Sequence, residues 1–317
     1  SSLVVDLVRE RLMHYEDALL SGVAAIQSAG GTVTRSQWRS YAANLRLTER
    51  YPGIGGIGVI FHVSEAEEEV EAFLERMRRE KPDFQIRPQH EFEFRLPIAY
   101  IEPEAANAAA IGLDVAFELN RRNAALRARG TGTTQISGPI VLVQDAGKTP
   151  GFLFYAPYYE RETPPGGAPN EGDAPAIRES TFRGLVYAPL VVRSLVAGTL
   201  GQQSRDVLFS IRDGDELLYA EHDDEQRTPS PYTGTRSVEL YGRTWTFDFH
   251  ESGAAPGEIG EHLPTIVLVS GLTIDVLLFG LFAMMSRSNR RFLTLTGKMT
   301  DALSRHAFAL TATNEEL

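Results

Sequence analysis

The residues best able to hold a metal or move a proton near neutral pH are the histidines, His14, His62, His90, His222, His250, His262 and His306. No two of them form an HxH or HExxH pattern, so no local metal motif is present. The chain has no Cys, which excludes thiolate chemistry, a disulfide framework and any Cys-bound metal. No G-x-S-x-G elbow is present for a serine hydrolase. Gly53, Gly55, Gly56 and Gly58 resemble a loose dinucleotide loop, but they lie before or inside a strand rather than between a strand and a helix. The phosphate-cradling geometry is therefore lacking, and these read as turn glycines. Asp and Glu number 42, yet no spacing pairs two of them for acid–base work. The sequence thus predicts no catalytic residue, no metal site and no cofactor. Net charge is −11 and no basic tract occurs, so no nucleic-acid partner is expected.

One carboxylate has an unusual setting. Asp275 is the only charge in the apolar run Leu263–Ser286. Such a run, as a helix rising about 1.5 Å per residue, is long enough for a hydrocarbon core of roughly 30 Å. Glu258 and Glu261 precede it, and Arg287, Arg290 and Arg291 follow it. Cationic flanks favour the cytoplasmic side. Residues 1–262 are expected outside, in the periplasm or extracellular space, and 287–317 inside, with the bilayer of a cell inner membrane as partner. Asp275 is expected to face protein, because a lipid-facing carboxylate is costly. A translocated domain needs targeting, so a first membrane helix or a removed signal peptide is expected upstream. Residues 292–317 read as a linker helix feeding a cytoplasmic module.

The elements before that run have an α+β (mixed α/β) pattern. Val5, Val8, Leu12, Tyr15, Leu19, Val23 and Ile26 make one helical stripe, stopped at Gly30-Gly31. This stripe reads either as a dimer seam or as a face packed on its own domain. Thr34 and Gln37 predict a capping box, as do Ser64 and Glu67. Ile57, Val59 and Phe61 alternate as a strand, and strands are expected within 84–101. A short Ala-rich helix follows Pro103. Asp114 and Glu118 precede a helix over Arg121–Arg129, which stops at residues 130–132. Strands are expected at Ile140–Val143 and Phe152–Tyr155, and a surface loop or seam at 160–178. Phe182–Ala188 then runs into a helix from Pro189. Two hairpins follow, one turning at Asp213-Gly214 and one at Tyr241-Gly242-Arg243. The later connections are too short for helical crossovers, so antiparallel sheets are predicted.

Four stretches carry a family resemblance: YPGIGGIGVIF (51–61), LPIAYIEPEAANAAAIGLDV (96–115), NRRNAALRARGTGTTQISGPIVLVQD (120–145) and FLFYAPYY (152–159). Together they resemble the CHASE domain, the extracellular sensory module of bacterial and plant transmembrane receptors. The resemblance implies a long N-terminal stalk helix (1–30) and a membrane-distal PAS-like lobe (31–178). A membrane-proximal PAS-like lobe (179–262), a transmembrane helix (263–286) and a cytoplasmic linker helix (287–317) complete it. It implies a homodimer through stalk and transmembrane helices, a small-molecule ligand in the distal lobe, and a histidine kinase or diguanylate cyclase as output. The alternative is a protein-binding or structural ectodomain without a small-molecule ligand.

Carried over residue by residue, the resemblance places a ligand between the strand ending at Tyr100–Glu102 and the strand pair Ile140–Val143 and Phe152–Tyr155. Plant hormone receptors, which bind a cytokinin, have an Asp where Glu102-Pro103 stands here, and a pocket Thr where Ser137 stands. Alternation puts Phe152 and Phe154 on one face and Tyr155 on the other. The expected ligand-binding residues are Tyr100, Glu102, Ser137, Phe152, Phe154 and Tyr155. Asp114 and Arg122 are expected to pair and to hold a helix on the sheet, with Gly132 and Pro139 as further structural positions.

Overall fold

The computed structural model describes residues 2–142, 149–160, 181–200, 207–221, 233–251, 265–285 and 287. Two compact units result, Ser1–Gly253 and Ala254–Leu317. Val143, residues 161–178 of the expected loop, His222, Glu258, Glu261, His262, Arg290, Arg291 and the expected linker helix over 292–317 lie outside the described residues.

Helix α1 spans Ser2–Ser28, and the predicted stripe is its buried face. Gly31 N–H bonds back to Ile26 O at 3.0 Å, with φ of 87° at Gly30 and 84° at Gly31, so two left-handed glycines end the helix. Helix α2 (Arg35–Leu45) begins with the predicted Thr34–Gln37 capping box. A short α3 (Leu47–Arg50) leads to β1 (Ile57–Phe61) and β2 (Val63–Ser64). Helix α4 spans Glu67–Glu80, with three Glu in its first turn and Arg78 and Arg79 in its last, as the macrodipole favours. Its N-cap is Ala66, without a side-chain cap bond. Ser64, the predicted cap, is instead paired with Phe94 as strand. Strand β3 (Phe94–Arg95) and β4 (Ile98–Glu102) follow, then α5 (Glu104–Asn107) and a 3₁₀ turn at Ala108–Ala110. Phe84 and Ile86 are buried but lie outside any strand.

Helix α6 (Leu119–Thr131) has Glu118 as N-cap, whose carboxylate accepts from Asn120 N at 3.0 Å and Arg121 N at 2.9 Å. Gly132, at φ 70°, closes its other end. Strands β5 (Gln135–Ile136), β6 (Ile140–Val141), β7 (Pro150–Tyr159) and β8 (Phe182–Val191) follow. Helix α7 (Val192–Leu200) starts later than predicted, because Pro189–Val191 stays paired as strand.

The first sheet runs β4-β1-β8-β7-β5, with β6 also on β7, and every pairing is antiparallel. A boundary at 178/179 would cut this sheet, since β8 is its central strand. Hydrogen bonding to both β1 and β7 outweighs the sequence break before it. The second sheet, β10-β9-β12-β11, uses β9 (Val207–Asp213), β10 (Glu216–Ala220), β11 (Thr233–Leu240) and β12 (Arg243–Glu251).

Register defines the two faces of the first sheet. Tyr100, Val59, Val186 and Ala156 stand opposite one another in turn and share one face. Helix α1 covers that face: a Cβ on Gly22 would lie 3.0 Å from Val186 Cγ1. The stripe that read as a possible dimer seam is therefore spent on the chain's own sheet. Gly58, Tyr187 and Tyr155 align on the opposite face.

In the second unit, Thr265–Met285 is a helix long and apolar enough to cross a membrane, with no residue of it buried. Leu272, Phe279 and Phe282 are exposed. Ser270 Oγ donates to Val267 O at 3.0 Å and Thr273 Oγ1 to Val269 O at 2.7 Å, so both hydroxyls are satisfied within the helix.

Candidate ligand site

The six expected ligand residues do not converge on one pocket. Strands β1 and β8 lie between β4, which carries Tyr100 and Glu102, and β7, which carries Phe152, Phe154 and Tyr155. At about 4.8 Å per strand spacing, that separates the two groups by roughly 14 Å.

Tyr100 and Glu102 line a cleft with Arg35, Met77, Glu80 and Phe84. It holds about 10 Å³, room for one water and no larger molecule. Its carboxylates are already engaged. Glu102 accepts from Arg39 Nε at 2.9 Å and from Glu104 N at 3.1 Å. Glu104 accepts from Arg35 Nε at 3.0 Å and from Arg39, and it lies 3.8 Å from Lys81 Nζ. The Arg35 hydrogen bond holds its carboxyl below the usual range.

Ser137 is spent on the backbone. Its hydroxyl accepts from Leu153 N at 2.9 Å and donates to Gly138 O at 2.8 Å. Phe152 and Phe154 face the second sheet's hairpin instead of a ligand. Trp245 meets Phe152 edge-on at 5.3 Å, and Tyr241 meets Phe154 at 4.7 Å. The turn there is built by positive φ at Tyr241 (50°) and Gly242 (78°). Tyr241 O accepts from Ile136 N at 3.0 Å, and Tyr241 Oη donates to Glu16 at 2.9 Å. One turn thereby ties α1, the first sheet and the second sheet together.

The structural positions are also rearranged. Asp114 does not pair with Arg122. Its Oδ1 accepts from Leu96 N at 2.8 Å and Ala116 N at 3.0 Å, and its Oδ2 from His90 Nε2 at 2.8 Å. His90 Nδ1 accepts from Phe92 N at 3.2 Å, which leaves the proton on Nε2. Arg122 donates to Ala116 O at 2.8 Å and lies over the Phe92 ring at 4.2 Å. His90 is 24 residues from Asp114, and no local pattern in the sequence links them. Pro139 O accepts from Asn120 Nδ2 at 2.9 Å, fixing the start of α6 to the loop before β6.

The remaining expected residue, Tyr155, lies in a distinct setting. Its ring and that of its cross-strand partner Tyr187 are sealed in the protein, at 0% and 1% exposure. Among the described residues neither hydroxyl has a hydrogen-bond partner, and Arg121 Nε has none either, its ion-pair partner Glu118 Oε2 standing 3.9 Å away. Arg121, 8% exposed, is anchored through Nη2 to Val141 O at 3.2 Å. Burial raises the pKa of both phenols far above the ordinary value, with the Arg121 charge acting the other way on each. Both are therefore neutral O–H donors. Gly58 makes the arrangement possible: a Cβ there would lie 2.4 Å from Tyr187 Cε1 and 2.4 Å from Tyr100 O. Tyr158, whose hydroxyl likewise has no hydrogen-bond partner among the described residues, lies on the α1 face. Arg121 was legible in principle. After the Glu118 cap, Arg121, Ala124, Ala125 and Ala128 follow helical spacing and are the buried positions of α6.

The family model of the CHASE domain matches residues 31–226. The chain belongs to the CHASE domain family. No curated protein matches it closely enough to count as a relative. The CHASE domain is a sensory extracellular domain of receptors and is itself non-catalytic. The match takes in the whole first sheet, the buried Tyr155, Tyr187 and Arg121, and the first hairpin of the second sheet.

Proposed function

We propose that this CHASE domain is a small-molecule sensor that passes a ligand-induced change through the second sheet and a transmembrane helix to a cytoplasmic histidine kinase or diguanylate cyclase. The observation that carries this reading is the pair of sealed hydroxyls on Tyr155 and Tyr187, neither with a hydrogen-bond partner among the described residues. A buried donor left unsatisfied costs about 1–3 kcal/mol. Two such donors on one face of a sensory sheet are accounted for by a partner that arrives from outside. The Tyr241 turn supplies the relay, because it joins α1 and the first sheet to the strand that ends at Glu251, ahead of the apolar helix in the chain. Asp275 then faces a neighbouring helix across a homodimer, and the outer face of α1 (Met13, Leu20) meets its counterpart. Residues 1–262 lie outside the inner membrane and 287–317 in the cytoplasm.

The test is a thermal-shift screen of the full chain in lipid nanodiscs against a chemically mixed metabolite library. A compound that binds only the folded state at about 100 times its Kd adds roughly 2.7 kcal/mol of stability. A library without a single stabilising member would favour a protein-binding ectodomain. The one-water cleft at Tyr100 is the observation on that side.

A further inference from the structure

We infer that His90 is a proton-operated switch: an imidazolium at this position releases Phe92 from the ring and from α6, so the domain reads the pH of the medium around it. This input is separate from the small-molecule reading above and stands or falls without it.

The geometry assigns both ring nitrogens. Nε2 lies 2.8 Å from Asp114 Oδ2, and Nδ1 accepts from Phe92 N at 3.2 Å. Asp114 Oδ1 accepts from Leu96 N at 2.8 Å and Ala116 N at 3.0 Å. Three donors on one carboxylate are what an ionised Asp takes, so the Nε2 proton belongs to His90. The place left on the ring for a second proton is Nδ1, the atom that holds Phe92. A proton there turns an acceptor into a donor that faces the Phe92 N–H, and two donors cannot share that contact. The Nε2 side responds in the opposite sense. An imidazolium there meets a carboxylate already in place, and charge-assisted bonds are about twice as strong as neutral ones. The ring therefore stays on Asp114, and Phe92 leaves.

Burial favours the same outcome. The side chains of His90 and Asp114 are 5% and 0% exposed, whereas Phe92 is 37% exposed. Displacing Phe92 admits water to Nδ1–H and to the freed backbone N–H, so neither donor stays buried without an acceptor. The other charged groups around the imidazole are committed elsewhere or face solvent. Arg95 Nη2 donates to His90 O at 3.3 Å, Arg87 Nη2 to Ala109 O at 2.7 Å and Arg122 Nη1 to Ala116 O at 2.8 Å. Glu91 and Glu93, on either side of Phe92 in the chain, are exposed. The rings of Phe92 and Phe117 flank the imidazole at 4.7 Å and 6.5 Å. Phe92 carries the change to α6, because the Arg122 guanidinium in the first turn of that helix rests on its ring at 4.2 Å.

The experiment follows hydrogen exchange at single amides in the full chain in nanodiscs, between about pH 8 and about pH 5, where histidine changes charge. Each rate is divided by the intrinsic rate at that pH. Protection of the Phe92 amide should fall about tenfold toward the acid end, the worth of one ordinary hydrogen bond. The Leu96 and Ala116 amides, both on Asp114 Oδ1, should keep their protection over the same range. His90→Gln offers Asp114 an uncharged N–H in place of Nε2 and leaves no titrating acceptor beside Phe92, so the pH response at Phe92 should disappear. If that variant does not fold, the contrast in the wild type between Phe92 and the pair Leu96 and Ala116 decides. Constant protection at Phe92, loss at all three amides together, or the same response in His90→Gln overturns the inference. Each of those results leaves the small-molecule reading where the metabolite screen puts it.

Discussion

Replacing Asp114 tests how the loops around β4 and α6 are held. Its carboxylate is fully buried and accepts two backbone N–H groups, Leu96 and Ala116, together with His90 Nε2. Asp114→Ala leaves those two backbone donors and the imidazole N–H without an acceptor. At about 1–3 kcal/mol for each unsatisfied buried donor, the two backbone groups alone give a loss of roughly 4 kcal/mol. For a unit of this size, each kcal/mol corresponds to about 2–4 °C, so the melting temperature should fall by roughly 8–16 °C. Asp114→Asn keeps an Oδ1 for the same two N–H groups but loses the charge. Its –NH2 then faces the His90 Nε2–H, donor against donor, so the loss should be about 2–3 kcal/mol, still below that of Ala. Trp38 and Trp245 are both buried, one beside the first sheet and one in the second, so their fluorescence reports the unfolding of each. A drop of less than about 1 kcal/mol for Asp114→Ala would show that the carboxylate does not organise these loops. Equal losses for Asn and Ala would show that charge rather than Oδ1 geometry is what matters.

Gly58→Ala should destabilise the first sheet by about 1–3 kcal/mol or more, because the new methyl meets Tyr100 O and the Tyr187 ring at 2.4 Å; urea denaturation measures it. Pairing it with Tyr187→Ala should recover part of that loss, and no recovery would remove the ring as the cause. The Glu104 carboxyl is held below its ordinary value of 4.5, first by the Arg35 hydrogen bond. A depressed folded pKa contributes stability above the unfolded value that disappears as pH falls through the folded one. Glu104→Gln should therefore flatten the acid side of the melting-temperature profile below about pH 4.5 and leave its slope near neutrality unchanged. Single cysteines at Met13 and Leu20, on the exposed side of α1, should trap disulfide dimers in membranes, whereas Val8 and Leu12, fully buried, should not. Trapping from Val8 or Leu12 would mean that α1 leaves its own sheet. Asp275→Leu should preserve membrane insertion while altering dimer strength or signalling output, and wild-type behaviour in both would remove Asp275 from the helix contact.

The signals that proved legible in the sequence are those whose physics is local. The stripe of α1, the Thr34–Gln37 box, the Gly30-Gly31 and Gly132 stops and the Tyr241-Gly242 turn each depend on a few neighbouring residues. The apolar helix is equally local, since its length and composition alone make it long enough for a bilayer. The CHASE resemblance was also carried by short stretches, and the family match covers them. Strand order was decided only by the tertiary structure. Nothing in the run Phe182–Val191 says that it inserts between β1 and β7, because any strand with two apolar faces could take a central place. That insertion separates Tyr100 from Phe154 and sets Tyr155 opposite Tyr187. It also turns Phe152 and Phe154 toward Trp245 and Tyr241. The Asp114–His90 bond has the same origin: a buried carboxylate takes whichever donor the folded chain brings within reach, and sequence distance does not limit that choice.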